Sequence, residues 1–232
     1  MSDATKPELV VVADAAAVAS AAADRIVALS EAGAPFTIAL AGGSTPKALY
    51  RLLSGALADR VAWSRCSLYF GDERCVPPDH ADSNYRMVKE ALLDPLAQKG
   101  LAPRLIERME GERDPADAAQ RYAAKLPPAL DLVLLGMGPD GHTASLFPET
   151  PALTDRAAVA ANFVAKLGAY RLTLTYPTLS AANSTLVLVA GAEKAGVLAV
   201  AVSGPPGAVP LRDLRPAAGI TFICDRAAAK NL

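Results

Sequence analysis

The chain carries only two histidines, and one of them, His142, lies among residues that could make it work. Leu134 to Pro148 reads LLGMGPDGHTASLFP. Gly136, Gly138 and Gly141 follow an apolar run at the G-x-G-x-x-G spacing of a dinucleotide-binding turn. That turn needs a long helix opening at its third glycine and an acidic residue about 20 positions later. Pro148 and Pro151 cut such a helix short, and the glycines lie past the middle of the chain, so no nucleotide cofactor is expected. The same residues also read as a catalytic loop. Asp140 stands two residues before His142, near enough to orient the ring. A neutral imidazole held by an acid is a general base at neutral pH. The plainer reading is a histidine satisfied by backbone at a helix start.

Two further segments carry chemistry. Ala39–Tyr50 reads ALAGGSTPKALY. Gly42 and Gly43 let the backbone turn tightly, Ser44 and Thr45 bring hydroxyls, and Pro46 suits the first turn of a helix. Free N–H groups at that helix start attract an anion, and Lys47 adds charge nearby. The spacing is not that of a Walker A loop. The plainer reading is a capped strand-to-helix turn. Tyr69–Val76 reads YFGDERCV. Here Arg74 could bind an oxygen anion through fixed donors, or pair locally with Asp72 or Glu73 on the surface. His80 follows in a polar loop and reads as solvated.

These segments must be held by something, and the pattern around them alternates apolar runs with helical stretches. Strands are predicted over Glu8–Val12, Phe36–Leu40, Ser67–Phe70, Leu132–Leu135, Arg171–Thr175, Leu186–Val189 and Ile220–Cys224. Helices are predicted over Ala15–Glu31, Pro46–Leu57, Asn84–Leu93, Asp114–Leu126 and Glu193–Val200. Asp114 is placed as an N-cap, with Pro115 first in its helix. Strand–helix alternation predicts a largely parallel sheet covered on both faces. Functional loops then leave the carboxyl ends of the strands, and all three segments directly follow one. No repeat or shift in composition marks a boundary, so residues 1–232 are expected to form a single domain.

The composition excludes several classes. Hydrophobic residues make up 52% and charged residues 20% of 232 residues, with a net charge of −1; the chain is globular and has no basic excess for nucleic acid or an anionic membrane. No signal peptide or membrane span is expected. Cys66, Cys75 and Cys224 form no metal or disulfide framework, so no metal is expected and a reducing, cytoplasmic setting is.

Taken in order, AGGSTP, GDERCVPPDHADSNYRM, GMGPDGHTASLFP and RLTLTYPTLSAAN resemble the 6-phosphogluconolactonase family, over about Phe36 to Ala229. Ser180 stands where Asn is frequent and Phe222 where Trp is frequent. The resemblance implies a modified Rossmann-like, three-layer α/β/α fold with a mostly parallel central sheet. It implies hydrolysis of 6-phospho-D-glucono-1,5-lactone, a small sugar-phosphate lactone, with no cofactor. A monomer or weak homodimer is expected. The related deaminases of glucosamine 6-phosphate carry Tyr where this chain has Arg74, and Glu where it has Phe147. On this basis His142 would activate water, Arg74 would stabilise the oxyanion, and Asp72 or Asp140 would orient Arg74, His142 or sugar hydroxyls. The phosphate would lie on Gly42, Gly43, Ser44 and Thr45. By resemblance alone, Arg171 and Lys194 join it.

Overall fold

The computed structural model describes residues 7–232; residues 1–6, on which the signal-peptide expectation partly falls, lie outside the described residues. Among the described residues ten strands follow in chain order: β1 (Glu8–Val12), β2 (Phe36–Leu40), β3 (Cys66–Phe70), β4 (Asp72–Arg74), β5 (Leu105–Ile106), β6 (Leu132–Leu135), β7 (Val159–Val164), β8 (Ala169–Leu174), β9 (Thr185–Val189) and β10 (Thr221–Asp225). The α-helices are α1 (Ala15–Glu31), α2 (Ser44–Ser54), α3 (Asn84–Val88), α4 (Asp94–Gln98), α5 (Pro115–Ala123), α6 (Tyr176–Ser180), α7 (Ala195–Ser203) and α8 (Pro210–Asp213).

Seven strands form a parallel sheet in the order β1-β10-β9-β6-β2-β3-β5. β3, β6 and β9 are buried at every residue, which requires cover on both faces and explains their unbroken apolar runs. The chain leaves β2 towards β3 on one side and leaves β6 towards β9 on the other. The two connections diverge, so a crevice opens beyond the carboxyl ends of these neighbouring strands. The loops carrying Gly43 and His142 are the ones that flank it.

Two expectations need correction. Arg171 does not open a strand of the parallel sheet. It lies within β8, in a separate three-stranded antiparallel sheet ordered β4-β8-β7. The segment after β3 is not wholly loop either, because Asp72–Arg74 pairs with β8. Its polar side chains hide the strand from any apolar pattern. Gly71 joins the sheets: its N–H donates to Leu40 O at 2.9 Å and its carbonyl accepts from Leu174 N at 2.8 Å.

Other boundaries move for local reasons. α2 starts at Ser44 because Gly43, at φ 99°, serves as its N-cap. The helix from Asn84 continues through a π-turn at Lys89–Leu93 into α4, past Pro95. The Ala91 carbonyl, which Pro95 has no N–H to serve, accepts from Ser54 Oγ at 2.9 Å instead. α5 is capped as expected, with Asp114 Oδ1 accepting the N–H groups of Ala116 and Asp117.

Candidate active site

The crevice is a cleft of about 600 Å³. Its walls include Gly42, Gly43, Ser44, Thr45, Asp72, Arg74, His142, Arg171 and Lys194. Loops about 30 to 150 residues apart therefore meet in one space, on the order expected for a small-molecule site. Asp140 stands just behind His142.

The turn after β2 is built to keep donors free. Gly43 at φ 99° makes no side-chain cap, and neither Ser44 nor Thr45 caps the helix. A residue with a Cβ would be strained at that φ. Pro46 has no N–H, so the exposed start of α2 offers the amides of Ser44 and Thr45 to the cleft. Tyr50, fully buried, reaches back from α2 to hold the loop: its hydroxyl accepts Ala41 N–H at 2.9 Å and donates to Ala41 O at 2.8 Å.

The turn after β6 explains its own glycines. No helix follows Gly141, so the dinucleotide reading has no structural basis. The glycine at 138 is required because a Cβ there would lie 2.0 Å from His142 Cε1 and 2.1 Å from Nδ1. The imidazole packs closely against that backbone. Asp140 Oδ1 lies 2.5 Å from His142 Nδ1 and accepts the His142 backbone N–H at 3.2 Å. An ionised carboxylate only accepts, so the proton sits on Nδ1 and Nε2 is the basic nitrogen. The Phe147 ring packs against the imidazole at 4.0 Å between centroids. Burial lowers the His142 pKa, opposed by the hydrogen bond and charge of Asp140 and by the charge of Asp72. Burial would raise Asp140, but Lys166 and His142 outweigh it and hold the carboxyl well below its usual range.

β4 separates three neighbouring residues into three roles. Asp72 is buried; Oδ2 accepts from Ser145 Oγ at 2.8 Å and Oδ1 from Asn84 Nδ2 at 3.2 Å. Glu73, also buried, accepts the N–H groups of Arg74, Asn84 and Tyr85 and the Ser83 hydroxyl. It ties the start of α3 to β4. Arg74 faces the cleft. The antiparallel register sets it directly opposite Arg171. Among the described residues no carboxylate pairs with either guanidinium, so the local Asp–Arg or Glu–Arg pair does not form. Burial and the charge of Arg74 lower the Arg171 pKa, against the opposing charge of Asp72.

Lys194 reaches the cleft from the 3₁₀ turn after β9. His80 is exposed in its loop, with Nδ1 accepting Asp82 N–H at 3.1 Å. Sequence reasoning missed Lys166, Asn84, Thr143, Ser145 and Glu193 as cleft residues. Lys166 sits in the β7–β8 connection, where two apolar runs flank a short glycine-containing segment. That hairpin pattern was the available signal. Among the described residues, no group of three or more His, Cys, Asp or Glu could hold a metal ion. No helix there is long and apolar enough to cross a membrane.

The family model described as glucosamine-6-phosphate isomerases/6-phosphogluconolactonase matches residues 12–223. A 6-phosphogluconolactonase of Nostoc sp. is 41% identical over 215 residues, 85% of each chain. One of Rattus norvegicus is 36% identical over 210 residues, 85% of this chain and 80% of its own. The solved 6-phosphogluconolactonase of Trypanosoma cruzi superposes with a TM-score of 0.82 at 33% identity, covering 98% of this chain and 97% of its own. A monomeric glucosamine-6-phosphate deaminase shares the fold at a TM-score of 0.82 but only 17% identity, covering 97% of this chain and 100% of its own.

Proposed function

The chain belongs to the glucosamine-6-phosphate isomerase/6-phosphogluconolactonase family, and from that premise we propose that it hydrolyses 6-phospho-D-glucono-1,5-lactone to 6-phosphogluconate, a step of the pentose phosphate pathway, with His142 as general base. The enzyme is a 6-phosphogluconolactonase, a carboxylic ester hydrolase. One observation carries the mechanism: the Asp140-held imidazole and the free first-turn amides of α2 open on the same cleft.

The substrate is an activated cyclic ester, so no covalent nucleophile is needed, and the chain has no G-x-S-x-G elbow. His142 Nε2 takes a proton from water as the oxygen attacks C1. Negative charge develops on the carbonyl oxygen, where Arg74 and backbone N–H groups of the glycine-containing turn after β6 stabilise it. The imidazolium then returns its proton to the ring oxygen as the C1–O bond breaks. Asp140 keeps the ring in the productive tautomer throughout. Gly42, Gly43, Ser44, Thr45, Arg171 and Lys194 hold the phosphate, and that remote grip fixes C1 beside the base. Asp72, held by Ser145 and Asn84, positions the loop around His142. Phe147 supports hydrolysis over deamination, because the position that would carry a relay glutamate holds an apolar ring.

The same reading places the enzyme in the cytoplasm, where its three free cysteines suit a reducing compartment. A monomer or weak homodimer suffices for the chemistry. The test is hydrolysis of freshly generated lactone, followed against its spontaneous rate. The enzyme should exceed that rate clearly, and His142→Ala should lower kcat by about 100-fold or more with an unchanged circular dichroism spectrum. Near-normal turnover by that variant removes His142 as the base.

A further inference from the structure

Lys166 comes to the cleft from the 3₁₀ turn Ala165–Leu167 between β7 and β8, on the antiparallel sheet. His142 and Asp140 follow β6 of the parallel sheet. Across that boundary the Lys166 ammonium donates to Asp140 Oδ2, while Oδ1 of the same carboxylate holds His142. The ammonium also stands 4.6 Å from the centroid of the Phe147 ring, whose ring lies against the imidazole. Lys166 thus touches both groups that fix His142 without being part of its loop.

We infer that Lys166 is a positioning residue for the proposed reaction: by engaging the outer oxygen of Asp140 from the second sheet, it locks the carboxylate in the rotation that keeps the His142 Nδ1 proton and leaves Nε2 free. The inference rests on the reading of His142 as the base. A carboxylate with one free oxygen turns readily about its Cβ–Cγ bond. With both oxygens engaged, its orientation is set from two elements. The charge on Lys166 also opposes protonation of His142, in the same direction as burial.

Other charges bear on the ring and must be held constant. Asp140 lies beside it, and Asp72 faces it from β4. Arg74, Arg171, Glu193 and Lys194 line the same cleft. Removing Lys166 alone leaves all of these in place. Two effects then push the same way: a nearby positive charge is lost, and the Asp140 carboxylate is less neutralised. Both favour imidazolium, while the loosened Asp140–Nδ1 hydrogen bond disfavours it, so the tautomer and not the titration alone reads the positioning.

The chain's two histidines make the test direct. Imidazole resonances of the free enzyme are titrated by NMR in the wild type, Lys166→Met and Lys166→Arg, with His80→Gln to assign the two signals. kcat and KM are measured on the lactone across pH for the same proteins. In Lys166→Met the neutral His142 ring should lose part of its Nδ1–H tautomer, read from the ring-nitrogen shifts. The kcat should fall by about fivefold or more, with KM changed less than about twofold. Lys166→Arg should restore both. An unchanged Nδ1–H share in Lys166→Met overturns the inference. So does a raised KM with kcat and tautomer intact, which makes Lys166 a substrate contact. The NMR arm stands apart from catalysis. If His142→Ala keeps its turnover, the base reading falls, while the tautomer still reports whether Lys166 acts on the Asp140–His142 pair.

Discussion

His142 is held between opposing influences. Burial disfavours its charged form, and Asp140 and Asp72 favour it. The net shift is downward from the ordinary 6.5, so the ring is neutral and basic through neutral pH. Activity that needs neutral imidazole should therefore fall on the acid side only below pH 6.5, in a kcat/KM profile corrected for spontaneous hydrolysis. An acid limb centred above 6.5 contradicts this environment. Asp140→Asn removes a charge that raises the His142 pKa, so the limb should move further down. Its kcat should nevertheless drop by about tenfold or more, because Asn no longer selects the Nδ1–H tautomer. At the other end of the cleft, Arg171→Ala and Lys194→Ala should chiefly raise KM, by about tenfold each. Unchanged KM in both variants would remove the phosphate assignment. Asp72, Glu73 and Arg74 show why residue type alone misleads. Three charged neighbours read as one exposed cluster, yet one is spent on Ser145 and Asn84, one on the start of α3, and the third pairs with no carboxylate and donates only to the Asp82 carbonyl.

At the level of elements, the same device occurs at two strand ends. The Tyr50 hydroxyl bonds both backbone groups of Ala41, and the Tyr122 hydroxyl bonds both backbone groups of Phe70. Each buried phenol clamps the point where a strand releases its functional loop. Burial pushes both hydroxyls well above their ordinary range, so they remain neutral donors. Tyr50→Phe leaves a buried N–H and C=O unpaired. It should cost about 1–3 kcal/mol in urea unfolding and raise KM for the lactone, because Ala41 leads into Gly42 and Gly43. A variant with wild-type stability and KM would show that the loop needs no clamp. Glu73→Gln sets an amide N–H₂ against N–H donors that the carboxylate accepted. It should destabilise by about 1–3 kcal/mol, read as a lower urea midpoint.

At the level of the whole molecule, the cleft is walled by both sheets. Gly43 and His142 come from loops of the parallel sheet, and Arg74, Lys166 and Arg171 from the antiparallel one. A ligand that engages both sides should stabilise their association. Product 6-phosphogluconate at 100 times its Kd adds about 2.7 kcal/mol, which for a chain of this size raises Tm by about 5 °C or more. Arg171→Ala should lose most of that shift at the same concentration. Absence of any shift in the wild type at millimolar product would mean that the cleft does not hold the phosphosugar.

The amino-acid sequence alone determined the elements whose cause is local. α1, β1, β2 and β6 are legible in apolar runs and helix formers, and the α5 cap in Asp114-Pro115. It also placed the glycine turn, Arg74 and His142 after strands, because strand ends and turn residues are written in neighbouring positions. Arg171 and Lys194 were legible only through resemblance; as isolated residues they read as surface cations. The tertiary structure decided the rest. Which strands share a sheet, that Arg74 lies opposite Arg171, and that Lys166 reaches Asp140 all depend on pairings between residues far apart in the chain. Such pairings are selected by the free energy of burying the whole core and closing every backbone hydrogen bond at once, and no short window of sequence carries that sum.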